Sequence, residues 1–194
     1  MITGKRLVAA ALLVALAQIA FLGWMIAGRA AVLRNGQEIV LKVEPVDPHD
    51  LLRGDYVWLG YEISTIPTNQ ITNIRPGQEW AEESWLYVRV KKGDDGYWHL
   101  LSASFDAPLA TAPAAGEADI KGHVYAGQGL NPDTSIRVDY AIDRYYVPEG
   151  EGLEIQEDMR VRSFGVLVAL ASDGTPQIKA LLDGDKPLYE EPLY

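Results

Sequence analysis

A chain of 194 residues is of single-domain size, and its 48% hydrophobic content is enough for a true core. It contains no cysteine, which excludes disulfides, thiolate zinc sites and cysteine nucleophiles together. Residues 1–34 hold Lys5, Arg6, Arg29 and Arg34 and no acid, which leaves 13 basic against 27 acidic residues in 35–194, a formal charge of −14 that repels nucleic acid and anionic headgroups.

From Leu7 to Ala27 the chain is apolar with Gln18 as its one strongly polar residue, a length that lets a helix cross roughly 30 Å of hydrocarbon. A cleaved signal peptide is the competing reading, with Lys5 and Arg6 as its positive end. Its apolar run is shorter, however, and ends in a small-x-small site, whereas this run ends at Gly28-Arg29. The expectation is an uncleaved anchor with Trp24 at the outer interface. Lys5, Arg6 and the α-amine outweigh Arg29 and Arg34, so the N-terminus is expected inside and the acidic domain outside, in the periplasm where there is one. Residues 1–34 are thus read as cytoplasmic stub, anchor and short linker, and 35–194 as one extracytoplasmic domain.

Beyond residue 35, alternation and turn signals replace helical periodicity. Strands are predicted over 38–43 and 56–63, the second placing Val57, Leu59, Tyr61 and Ile63 on one face. Pro67 to Gly77 reads as a polar loop. Trp85 to Val90 and Tyr97 to Phe105 flank Gly93-Asp94-Asp95-Gly96, a hairpin signal because Asp-Gly accepts positive φ. Ala107 to Ala115 is an Ala/Pro-rich loop. Strands follow at 120–125 and 136–146, then a short helix or loop over 150–159. A second hairpin is predicted from Ser163 to Ala171 and Gln177 to Leu182, around Ser172-Asp173-Gly174-Thr175. The fold class expected is mainly β: an N-terminal transmembrane helix, then a single β-barrel or β-sandwich-like domain with at most one or two short helices.

The most distinctive stretch is Gly54-Asp55-Tyr56-Val57-Trp58-Leu59-Gly60-Tyr61. Physically, Gly54 supplies a tight turn, Asp55 accepts backbone N–H bonds that pin it, Leu59 and Tyr61 fill the core, and Tyr56 points the other way. Arg144, Tyr145 and Glu149 form a second candidate group. Arg144 would pair with Asp55 or another carboxylate, or would join Tyr145 and Tyr146 in a site for a ligand carboxylate.

The pattern G-D-Y-x-x-L-x-Y at 54–61 resembles the bacterial GDYXXLXY proteins. The proline-rich lead Pro45 to Pro48, the block Arg144 to Gly150 and the block Leu182 to Leu188 resemble that family as well, so the likeness covers about residues 37–190. The resemblance implies a membrane-anchored protein of no assigned activity.

Catalytic patterns are weak. The stretch Leu51-x-x-Gly54-Asp55-x-Val57 is similar to a turn in type I signal peptidases, but Val46 stands where their serine would be and no lysine completes a dyad. His49, His99 and His123 lack paired-ligand spacing, so no metal is expected; Asp47, Asp50 and the acids of 149–158 would at most bind Ca²⁺ weakly. No phosphate loop appears, and no cofactor is expected. The leading expectation is a non-enzymatic envelope protein whose domain binds a membrane protein partner. The alternative is an extracytoplasmic ligand-binding domain for a glycan fragment, a peptide or Ca²⁺, and a signal-peptidase-like hydrolase is the remote third.

Overall fold

The computed structural model describes residues 4–44, 56–74, 83–125 and 134–191. Helix α1 (Gly4–Asn35) is apolar on all sides and exposed on all sides from Leu7 to Ile26, with only Ala30 and Leu33 buried near its end. A helix of that kind suits hydrocarbon and not water. Among the described residues it is the one helix long and apolar enough to cross a membrane.

The helix does not end in a tether. Gly36 alone separates it from strand β1 (Gln37–Glu44). The Gly36 N–H donates to the Val32 carbonyl at 2.7 Å, and a Cβ on Gly36 would lie 2.6 Å from that oxygen and 2.7 Å from the Leu170 oxygen. Only glycine fits the junction, and the helix end is packed against the sheet.

β1 lies in a five-stranded sheet of order β12-β11-β10-β1-β3, where β3 is Gly60–Tyr61, β10 Phe164–Leu170, β11 Pro176–Asp183 and β12 Lys186–Glu190. β1 and β10 pair antiparallel from Gln37–Leu170 to Lys42–Gly165. A three-stranded sheet of order β6-β5-β7 is made by β5 (Ser84–Lys92), β6 (Trp98–Phe105) and β7 (Glu117–Val124). β1 packs on β6, and the two sheets enclose a core that includes Ile39, Leu41, Leu86, Val88, Phe105, Ile120, Phe164 and Val166. The sheets do not close into a barrel among the described residues, so the sandwich-like form of the expected fold holds.

Both predicted hairpins form. Gly96 and Gly174 take φ of 87° and 85°, and Asp173 accepts bonds from the Thr175 N–H and hydroxyl at 3.1 and 2.9 Å. Those bonds, the backbone one foremost, hold the Asp173 carboxyl below its ordinary range. Strand β12 lies in the segment read only as a family block. Its signal was the Asp183-Gly184 turn, and Pro187 is tolerated because β12 is an edge. The expected short helix forms as α2 (Gly152–Asp158).

Two strand predictions need correction. Residues 56–63 split into β2 (Tyr56–Trp58), β3 and a 3₁₀ turn at Glu62–Ser64. Residues 136–146 split into β8 (Ser135–Arg137) and β9 (Arg144–Tyr146). The reason is a change of partner: β2 pairs with β9, β3 with β1, and β4 (Thr65–Pro67) with β8, each over three residues or fewer. The polar loop predicted from Pro67 holds the end of β4, a 3₁₀ turn at Thr68–Gln70 and a bridge from Ile71 to Ala103.

Candidate functional site

Val57, Leu59, Tyr61 and Ile63 are all buried, as alternation predicts, even though the strand that carries them is broken. Tyr56 and Trp58 stay half-buried on the opposite face, across from Tyr146 and Arg144 respectively. The Tyr56 and Trp58 rings meet edge-on at 5.6 Å, and Tyr56 and Tyr146 lie 6.1 Å apart. The Arg144 guanidinium stacks 4.6 Å above Trp58 and 5.9 Å from Tyr56. Its ionic contact is the neighbouring Asp143 at 3.5 Å, with both side chains about half exposed, so that contact contributes little. Gly54 and Asp55, and with them the expected Arg144–Asp55 pair, lie outside the described residues.

Tyr145 faces inward and is buried, so it shares no surface with Arg144. Burial, with the charges of Glu191 and Glu190 adding, raises its phenol to about 12. Glu149 is exposed in the turn before α2.

The broken segments leave a groove of about 550 Å³ between Trp58–Tyr61 and residues 137–143, with Ser64 and Tyr125 also on its lining. Two tyrosines bolt its walls together. The Tyr61 hydroxyl donates to the Ile142 carbonyl at 2.6 Å, and the Tyr140 hydroxyl donates to the Ile63 carbonyl at 2.8 Å. Burial raises both phenols above their ordinary value, with Asp143 adding to the effect on Tyr61, so both remain donors. The Leu59 N–H donates to the Asp143 carbonyl at 2.8 Å and the Val138 N–H to the Ser64 carbonyl at 2.9 Å.

Asp139 is fixed in this lining. Its carboxylate accepts the Tyr125 hydroxyl at 2.9 Å and the Ala141 N–H at 2.7 Å. The Tyr125 phenol is raised by that bond. Ala141 sits at φ 57°, a left-handed conformation that costs a non-glycine residue about 1 kcal/mol or more and that clusters at functional sites. Trp58 Nε1 is shielded from water and finds no acceptor among the described residues. A buried donor without a partner costs about 1–3 kcal/mol, which makes it unusual in a native wall.

A run of rings packed edge-on continues from the groove along β5 and β7. Tyr125 meets His123 at 4.7 Å and His123 meets Trp85 at 5.2 Å, while the Lys121 ammonium lies 4.3 Å over Trp85. Of the other expected candidates, His99 bonds Glu62 and Asp95, each at 3.0 Å, and His123 approaches Glu83 at 3.7 Å. No group of three metal-ligating side chains occurs among the described residues. His49, Asp47, Asp50 and Val46 lie outside them.

Sequence reasoning found the Tyr56–Tyr61 wall but missed the opposite one. Asp139, Tyr140 and Ala141 lie some 80 positions from the signature, and nothing local marks them.

A family model described as GDYXXLXY protein matches residues 18–181. The matched span starts inside α1, takes in the signature and the Arg144–Gly150 block, and stops just short of the block at Leu182. No curated protein and no solved structure matches the chain.

Proposed function

Because the chain belongs to the GDYXXLXY protein family, we propose that it is a single-pass, non-catalytic protein of a bacterial cytoplasmic membrane, N-terminus inside, whose extracytoplasmic domain recruits a membrane protein partner. The observation that carries this reading is the junction at Gly36. A domain that only needed tethering would tolerate a flexible linker, whereas here the helix end is buried against the sheet through Ala30 and Leu33 and the strand starts at once. A fixed junction holds the domain at one height and one rotation above the bilayer. A partner touching both the apolar helix and the domain gains from that, since less orienting entropy is lost on binding. Lys5, Arg6 and the α-amine before the helix, against Arg29 and Arg34 after it, slightly favour the proposed topology.

The test is photo-crosslinking in intact membranes from lipid-facing positions such as Leu16 and Phe21, with and without a flexible Gly/Ser insert of about ten residues between Asn35 and Gly36. The proposal expects one discrete crosslinked protein, lost when the insert is present. An undiminished crosslink with the insert would contradict it, and so would crosslinks to lipid only.

A further inference from the structure

We infer that the Ala/Pro-rich loop of residues 107–116 is a membrane contact: it rests on the lipid headgroups beside the exit of α1 and gives the domain a second point of support on the bilayer. The inference rests on the reading of α1 as a spanning anchor and is independent of any protein partner.

Position is the first argument. Pro108 and Pro113 line a cavity of about 680 Å³ together with Ala31, Val32 and Asn35 of the last turns of α1. The end of the loop is tied to the first residue of β1, because the Gln37 side-chain amide donates to the Glu117 carbonyl at 3.0 Å. At about 1.5 Å per residue, Ala31 and Val32 stand about 6–8 Å beyond Ala27, where the apolar run ends. The headgroup layer is about 5–8 Å deep on each side of the hydrocarbon, so a loop level with those two residues lies against headgroups.

Chemistry is the second. From Ala107 to Gly116 the loop carries no charge, and all of it is exposed except the partly buried Leu109. The domain has a formal charge of −14, and an acidic loop at this height would be repelled by anionic lipid. Of the two acids on the cavity lining, Asp119 is paired with Arg89, and Asp173 is bonded to Thr175 in the field of Lys121. Leu109 is the one large apolar side chain of the loop, which suits contact with headgroups and not insertion among acyl chains.

Rigidity is the third. A loop that met only water would need no fixing, yet the buried Arg89 of β5 holds this one. Its guanidinium donates to the Thr111 hydroxyl at 3.1 Å and to the Thr111 carbonyl at 2.6 Å, and it bonds both Asp119 carboxylate oxygens at 2.8 Å. Pro108 and Pro113 restrict the backbone further. A loop held in one shape beside the fixed Gly36 junction sets the tilt of the domain as well as its height.

The test uses the full chain in vesicles of phosphatidylethanolamine and phosphatidylglycerol. The chain has no cysteine, so a single fluorescent label can be placed at a time. The positions are Leu16→Cys in the helix, Ala110→Cys and Ala114→Cys in the loop, and Asp185→Cys in the turn at the opposite end of β11 from Pro176. Lipids carrying a nitroxide either at the headgroup or deep in the acyl chain quench the labels they reach. Both loop labels are expected to lose fluorescence to the headgroup nitroxide and less to the deep one. Leu16 should show the reverse order, and Asp185 should respond to neither. Loop labels quenched no more than Asp185, while the deep nitroxide quenches Leu16, overturn the inference and leave the anchor standing. A Leu16 label that the deep nitroxide does not quench overturns the anchor reading and the inference with it.

Discussion

In the five-stranded sheet, β1 pairs with β10 over six residues and β10 with β11 over seven, whereas the pairings made by 56–67 and 135–146 extend over three at most. The first region is held by backbone ladders between apolar strands. The second replaces the missing rungs with side-chain bonds to main-chain carbonyls, Tyr61 to Ile142 and Tyr140 to Ile63, and with the bond from the Trp58 backbone N–H to the Gln156 side-chain oxygen at 3.1 Å. A ladder leaves no room between strands. A few tyrosine bolts leave a walled groove, so the irregular region is where the cavity lies.

The largest expected effect breaks that comparison at its centre. Tyr61→Ala removes a buried aromatic and its bond, and should cost about 3–5 kcal/mol in denaturant melts. Leu41→Ala, in the ladder region, should cost about 2–5 kcal/mol without opening the groove. Tyr61→Phe and Tyr140→Phe isolate the bolts, each leaving a buried carbonyl unpaired at about 1–3 kcal/mol. Because the two hydroxyls tie the same pair of segments, the double variant should depart from additivity, and a strictly additive cycle would show that they act separately.

Gly36→Ala probes the third kind of join, between helix and sheet. Its Cβ would press on two backbone oxygens, so the expected loss is about 1–3 kcal/mol, read as a lower melting temperature of the full chain.

The smallest effect is a pH dependence at His99, which ties Glu62, next to Tyr61, to the hairpin residue Asp95. Both ring nitrogens face carboxylates, so the imidazolium is the state that donates twice. The Glu62 bond first and the Asp95 bond second raise His99 above the ordinary 6.5, and Asp95 is correspondingly lowered. A raised folded-state value means that the contribution is complete below pH 6.5 and fades as pH climbs through the raised value. The side chain is about one-third exposed, so solvent screening keeps the effect below about 1 kcal/mol. The melting-temperature gap between wild type and His99→Gln should therefore narrow as pH rises from about 6 to about 8.

Much of the ladder region was legible in the sequence. The runs 38–43, 163–171 and 177–182 and both Asp-Gly turns carry strand and hairpin signals within a few residues of one another. Burial of Leu59 and Tyr61, and the need of the Tyr61 hydroxyl for a partner, were legible for the same local reason. The breaks at Leu59 and at 138–143 were not, because they follow from which strand each segment pairs with: β2 turns to β9 and β4 to β8, both distant in sequence, while β3 turns to β1. Alternation continues through a change of partner, so 56–63 reads as one strand. The Arg144–Tyr145 candidate was half legible: adjacency in sequence put them together, and the pleat put them on opposite faces.

The proposed role requires that α1 stay joined to the folded domain, and the burial of Ala30 and Leu33 makes the helix end part of that fold. The most direct measurement is the intact mass of the protein extracted from membranes. The account predicts a mass that includes residues 7–27, and a mature N-terminus near Ala30 would contradict it.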